Sequence, residues 1–506
     1  MTLLVPFPSN EWIPLISRAR LPLLCLTVQI HLIHRWFDCI YRLPIVMGDA
    51  GHIDPWSSEQ STDYDRISTK FGLDSIELSK IPNPNILHRR GIIFGHRDLD
   101  VILNSIYRNE KFGVLTGLMP SGNMHLGHSM VIDQVKWFQE QGGDVTVAVA
   151  DLEALATRST SLKKGREVAL EEYIINYAAM GLDPKSTSVY FQSKRPDVQR
   201  LAFTLGRKTN ISEFEAIYGF GGDTNLAHVQ APLVQAGDIV HPQMEEFGGL
   251  RPIVVPVGID QDPHLRLTRG LVSKTNWFNV KTRQNGGLTV ALSIQDDNSE
   301  IFGISKDGKV NREVRNNIFN RIKSSISSIG YADIISNPKH GTLDIPGASN
   351  IDISQLKLNL LRLERKMGGM GFMPPCSTYH RFAVGMTGDK MSSSKPETTI
   401  FMNDSITQME KKVKKAFSGG QSTVEEHRRL GGDCSKDVSF QYLQFFFEKD
   451  DNVLNEIKRD YESGKILAGE MKNICIENAT IWLNDLSEKR DEWADRVNEF
   501  LAPDAF

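Results

Sequence analysis

The chain is poor in cysteine: five residues among 506, Cys25, Cys39, Cys376, Cys434 and Cys475, scattered and without a C-x-x-C pair. That pattern excludes a disulfide framework and a zinc ribbon, and it fits a reducing, cytoplasmic setting. A dominant charge is lacking too, the formal net value being −4. A histone-like nucleic-acid binder is thereby excluded, though a local basic face would still serve for RNA. No low-complexity tract and no internal repeat breaks a globular composition of 40% hydrophobic and 24% charged residues. One apolar stretch near the start, LPLLCLTVQIHLIHRWF at 21–37, is too short and too polar to span a bilayer. It follows Arg18 and Arg20 as a signal segment would, yet it lacks a small-x-small cleavage pattern. No membrane association is expected. Residues 1–46 read instead as a dispensable extension, unless the start is Met47, where MGDAGHIDPW turns polar.

What is present is a repeated alternation. From Lys111 the pattern runs strand, turn, helix, strand: KFGVLTGL, then GHSMVIDQVKWFQEQGG, then DVTVAVAD. Val131, Val135 and Phe138 recur at i, i+4 and i+7, and Gly142-Gly143 stops the helix. The continuous β-branched and alanine run of DVTVAVAD suits a parallel strand covered on both faces. TSVYFQS and RPIVVPVGIDQD read as further buried strands, and GREVALEEYIINYAAMGLD as a strong helix. Such alternation predicts a doubly wound α/β parallel sheet, whose ligands gather at the carboxyl ends of the strands. Residues 116–121, 151–153 and 258–262 all fall there, which points to one shared pocket. A length of 506 residues predicts roughly two to four domains. We divide the chain into an appended segment at 47–110, the sheet domain at 111–275 and an inserted helical subdomain at 276–371. The end of the sheet domain follows at 372–403, and a helical domain at 404–506. KMGGMGF lacks the strand-then-helix context of a dinucleotide loop and reads as a turn.

Two polar segments carry the chemistry. In TGLMPSGNMHLGHSM, His125 and His128 sit at i and i+3 on the first turn of a helix. A zinc site would need further ligands nearby, and none stands out. A cradle for an anion uses more of the residues: a helix start offers unpaired N–H groups, and Gly117, Gly122 and Gly127 permit close approach. Surface histidines on an ordinary helix remain the plain alternative. In TGDKMSSSKPETTIF, Lys390, Lys395 and the serines Ser392, Ser393 and Ser394 crowd a loop. So dense a set of ammonium and hydroxyl donors suits a clamp for polyphosphate charge, where a solvated loop is the alternative.

HLGH at 125–128 resembles the HIGH signature, and KMSSS at 390–394 the KMSKS signature, of class I aminoacyl-tRNA synthetases. From Asp54 onward the chain looks most like the tryptophanyl-tRNA synthetases of the archaeal and eukaryotic type. DPW, DYDRISTKFG, RRGIIFGHRDLD, GIDQDPHLRLTRG and AFSGGQSTVEEHRRLGGDCSKDVSF carry that likeness. The resemblance implies a Rossmann-like catalytic domain, activation of tryptophan with ATP and Mg²⁺, transfer to tRNA(Trp), and a homodimer. It implies ATP contacts from Gly117, Gly122, His125, Gly127, His128, Gly258, Asp260, Lys390 and Met391. His125, His128, Lys390 and Ser392–394 would act on the phosphates. Glu153 and Gln235 would hold the α-ammonium group, and Gln261 would reach the amino acid. Relatives present a tyrosine and a glutamine to the indole where this chain has Leu115 and Ala148, so Asp238 is the expected acceptor. Archaeal tyrosyl-tRNA synthetases share the two signatures and an aspartate near this position, but pair it with a tyrosine where Leu115 stands. A catalytically inactive nucleotide-binding paralogue is a third possibility, set against two intact signatures. The lysines Lys411, Lys412, Lys414 and Lys415 are candidates for the RNA backbone, while the aromatic residues of FQYLQFFFEKD read as core.

Overall fold

The computed structural model describes residues 64–284, 286–295, 298–346, 353–388, 391 and 396–505. The expected extension at 1–46, and Lys390, Ser392, Ser393 and Ser394, lie outside the described residues.

A seven-stranded sheet organises the chain, in the order β1-β2-β11-β6-β3-β4-β5. Its strands are β1 (Asp74–Ser75), β2 (Ile93–Arg97), β3 (Gly113–Leu118), β4 (Asp144–Val149), β5 (Thr187–Phe191), β6 (Ile253–Gly258) and β11 (Cys376–His380). From β11 to β5 every neighbouring pair is parallel. The apolar runs recognised in the sequence are β3, β4, β5 and β6; in β4, Val145, Val147 and Val149 on one face and Thr146 and Ala148 on the other are buried, as a strand covered on both faces requires. The helix Leu126–Glu140 buries Met130, Ile132, Val135, Trp137 and Phe138, and Gly142 ends it at φ 95°. Residues 162–179 form one helical rod broken by a π-helical turn at Ala169–Ile174, which places Tyr173 and Tyr177 toward the end of β3.

The stretch before Lys111 is more than an appendage. Its strands β1 and β2 pair antiparallel, and β2 pairs antiparallel with β11, so this segment completes the edge of the main sheet. The segment at 276–371 departs from its reading as helical. Beside the helices Arg312–Ser327 and Ile353–Lys366 it contains a four-stranded antiparallel sheet of β7 (Phe278–Thr282), β8 (Leu288–Leu292), β10 (Thr342–Ile345) and β9 (Ile335–Asn337). These elements enclose a core of their own around Phe302, Phe319, Ile322 and Leu343. At its root, Asn276 exchanges two hydrogen bonds with the backbone of Phe372, and Glu364 accepts from Trp277 N and Gly371 N. One buried carboxylate thus staples the chain where it leaves the main sheet to where it returns.

Beyond residue 404 the chain is helical, and Phe440, Tyr442, Phe445, Phe446 and Phe447 are buried, as core residues should be. The helix Ala468–Trp493 carries a buried stripe of Met471, Cys475, Ala479, Leu483 and Leu486. Its first four members pack in the helical core, while Leu486 joins the core of the main sheet. Lys412 corrects one expectation: its ammonium is tied to Asp404 at 2.6 Å and to the Thr399 carbonyl at 2.8 Å, so it is an internal strut and not an RNA contact. Lys411, Lys414 and Lys415 are exposed. Among the described residues, no helix is long and apolar enough to cross a membrane.

Candidate active site

The carboxyl ends of β3, β4, β5 and β6 open into one cleft of about 890 Å³. Gly117, Gly122, His125, His128, Glu153, Gln235, Asp238, Gly258, Gln261 and Met391 line it. Residues named from segments far apart in sequence are therefore brought to one place.

At one end sits the first histidine segment. The chain following the second signature runs beside it: Leu126 N donates to Ile400 O at 3.1 Å, and Met402 N to Met124 O at 2.9 Å. His125 and Phe401 pair as an isolated antiparallel bridge. Gly127 is enclosed by this junction, since a Cβ there would lie 2.9 Å from His125 Cε1 and 3.6 Å from Met391 Sδ. The two signature segments thus meet. His128 Nδ1 accepts the backbone N–H of His125 at 3.1 Å, which leaves the proton of a neutral ring on Nε2. Burial holds its pKa down to about 4, so at neutral pH it offers an N–H donor and no charge. The two imidazoles lie with centroids 3.9 Å apart and planes tilted by 32° at the start of the helix, where backbone N–H groups would also face an anion.

Gly258 ends β6, and a Cβ on it would lie 2.6 Å from Asp260 Oδ1 and 3.0 Å from the Phe382 ring. Asp260 therefore folds back over the glycine beside the wall of the cleft. The neighbouring Asp262 does not enter: its buried carboxylate accepts from Tyr379 at 2.6 Å and pairs with Arg97 and Arg266. It anchors the turn that carries Asp260 and presents Gln261 to the cleft.

The other end is built around Asp238, on the helix Leu226–Val240. Tyr190, in β5, donates to its Oδ1 at 2.5 Å, and Gln192 Nε2 to its Oδ2 at 2.5 Å. Burial pushes the carboxyl up to about 7 despite both hydrogen bonds, and nearby Glu153 adds to the rise. Leu115 and Ala148 form apolar wall, as does Ile239. Sequence reasoning missed Tyr190, Gln192 and His264. Gln192 could have been found, because it follows the carboxyl end of a strand that the sequence showed. His264 also lines the cleft; its Nδ1 lies 2.9 Å from Tyr218 Oη, and burial lowers its pKa to about 3. Among the described residues no group of three or more His, Cys, Asp or Glu side chains could hold a metal ion. The described residues thus offer no all-protein metal cluster, and no step of the reaction is routed through Mg²⁺.

Comparison with known proteins agrees with the geometry. The family model described as "tRNA synthetases class I (W and Y)" matches residues 107–313 and 357–483. The tryptophan–tRNA ligase of Methanosarcina acetivorans is 40% identical over 450 residues, covering 88% of this chain and 98% of that protein. That of Thermoplasma acidophilum is 38% identical, covering 89% and 99%. Among solved structures, the tryptophanyl-tRNA synthetase of Aeropyrum pernix K1 superposes with a TM-score of 0.65 at 33% identity, covering 90% of this chain and all of that one.

Proposed function

The chain belongs to the tryptophan–tRNA ligases among the class I tRNA synthetases, and from that premise we propose that its cleft activates tryptophan with ATP and passes it to tRNA(Trp). In the first step the tryptophan carboxylate attacks the α-phosphate, and pyrophosphate leaves. In the second, a ribose hydroxyl of the terminal tRNA nucleotide takes the tryptophanyl group, and AMP leaves.

The carboxylate is already the nucleophile of the first step, so the site needs alignment and charge stabilisation and no general base. His125 and His128 would donate to the phosphates from the helix start. Lys390 and Ser392–394 would close over the leaving pyrophosphate. Gly258 admits the nucleoside closely and Asp260 takes its ribose hydroxyls. Glu153 and Gln235 hold the α-ammonium group, Gln261 reaches the amino acid, and Asp238 belongs to the selection of the indole. Mg²⁺, which the family resemblance implies, would supply charge neutralisation at the phosphates. The same reading makes it a cytoplasmic homodimer, as the family resemblance implies.

The observation that supports this reading best is the meeting of the two signature segments at Gly127, Met391 and Phe401 over a single cleft. ATP–pyrophosphate exchange with each of the twenty amino acids, with and without total tRNA, tests it. Tryptophan alone should support exchange. Stimulation by tyrosine alone would move the chain to the other branch of the family, and exchange with no amino acid would make it an inactive paralogue. Lys390→Ala should slow exchange by roughly 10²–10³-fold or more, since it removes charge stabilisation from the leaving group. Tryptophan binding, measured calorimetrically, should persist. Near-normal exchange by that variant would reject the clamp.

A further inference from the structure

Gln192 begins a short turn just past the end of β5 and lines the cleft, with 1% of its surface exposed. Its amide orientation is fixed by chemistry. Asp238 Oδ2 is an acceptor, so the group that reaches it at 2.5 Å must be the NH₂, and the carbonyl Oε1 points the other way. That Oε1 is buried and has no hydrogen-bond partner among the described residues. Buried acceptors are rarely left unpaired in folded proteins, so this atom is short of one N–H or O–H partner.

Asp238 is differently placed. Tyr190 occupies one of its oxygens and Gln192 the other, each at 2.5 Å. The carboxylate shares the cleft wall with Gln192, but both its oxygens are taken by these donors, whose geometry it sets. Beside them the wall is small and apolar: Ala148 is the register neighbour of Tyr190 across β4 and β5, and Leu115 lines the same cleft. This leaves room for a flat apolar ring whose one polar atom is a donor.

We propose that Gln192 is the specificity residue of the cleft: its Oε1 accepts the indole N–H of tryptophan, while Asp238 and Tyr190 hold the amide with its acceptor toward the substrate. The inference rests on the reading of the cleft as a tryptophan site and names the atom that does the selecting. Phenylalanine, with no N–H, leaves Oε1 unpaired in a dry pocket, and sites of this kind reject such analogues strongly.

The test uses tryptophan and benzothienylalanine, an analogue of nearly equal size that carries sulfur in place of the N–H. In amino-acid-dependent ATP–pyrophosphate exchange the unsubstituted protein should prefer tryptophan in kcat/KM by roughly 10²-fold or more. Gln192→Leu should erase that preference while kcat/KM for the analogue stays within about three-fold, which also shows that the variant is folded. A crystal structure of the tryptophan complex should place the indole nitrogen within hydrogen-bond reach of Gln192 Oε1. A preference that survives Gln192→Leu overturns the proposal, as does an indole nitrogen seated on an oxygen of Asp238. Equal use of the two substrates by the unsubstituted protein overturns it as well, with tryptophan activation intact. Absence of any tryptophan-dependent exchange would instead reject the reading of the site on which it rests.

Discussion

Asp238 is a carboxyl group kept from water, and burial, partly offset by Tyr190 and Gln192, brings its pKa up to about 7. The ionised form accepts from both neighbours. The protonated form must donate through one of its oxygens, and where the proton sits on Oδ2 the glutamine amide has to turn. A turned amide sets its NH₂ against the indole N–H, donor against donor. Tryptophan binding therefore favours the ionised carboxylate, which is present above about pH 7 and lost as pH falls through that value. Below pH 7 the KM for tryptophan should rise by up to about ten-fold per pH unit, the limit for one linked proton. The KM for benzothienylalanine, which makes no such hydrogen bond, should stay level, and parallel profiles for the two would sink the argument. Glu153 raises and Arg195 lowers the carboxyl pKa, but neither differs between the two substrates. For folding the sign is opposite. The native chain holds this proton more tightly than the unfolded one, so the group favours the fold at low pH and loses that contribution as pH rises from about 4 to about 7.

Among elements, the junction of the helix start with residues 400–402 brings the two signatures together, and Gly127 makes it possible. Alanine is a better helix former than glycine by about 1 kcal/mol, so propensity alone would have Gly127→Ala stabilise the helix. The added methyl would meet the His125 ring at 2.9 Å, and the ring, as the movable partner, would swing off the phosphate site. Gly127→Ala should keep its melting temperature within a few degrees and lose at least about ten-fold in kcat/KM for ATP. A variant of normal activity would show that His125 does not depend on this close approach. The same scale shows what the sequence disclosed. The strands β3 to β6 were legible because both their faces are largely buried, so each is a mainly apolar run. The insert sheet was not, because β7 to β10 are short and half-buried, set among Gly, Asn and Ser, and bound by pairings that no local pattern records. The phosphate end of the site was legible for a related reason: helix starts and glycines announce themselves locally. Its amino-acid end rests on contacts such as Tyr190 with Asp238, 48 residues apart, which only the folded chain displays.

Over the whole molecule, two of the links between the helical region and the catalytic sheet come from the end of the chain. One link is the helix Ala468–Trp493, whose buried stripe runs from one core into the other. The second is the stretch that follows it. Leu501 pairs with Val189 beside β5, Ala502 N donates to Val189 O at 2.8 Å, and Asp504 grips Arg195 with both oxygens at 2.6 and 2.7 Å. Arg195 is a buried cation with its guanidinium 3.9 Å above the Tyr190 ring, and Nη1 donates to His241 Nε2 at 3.1 Å. His241, neutral because burial and Arg195 both depress its pKa, to about 3, donates its Nδ1–H to the backbone carbonyl of Asp238 at 2.8 Å. Two routes therefore lead from Asp504 to the group that supports Gln192, one through an aromatic face and one through an imidazole. Removing the charge at Asp504 leaves Arg195 buried without its counter-ion, a state proteins avoid by letting the cation move toward water. Such a movement would release Tyr190 and His241 together. Asp504→Asn should raise the KM for tryptophan by roughly ten-fold, equivalent to about 1.4 kcal/mol, while the KM for ATP changes by less than about two-fold. Asp504→Glu should restore most of the loss, because it returns the charge. Equal damage to both KM values would mean that the contact only stabilises the fold. An unchanged tryptophan KM would mean that the pocket stands without it.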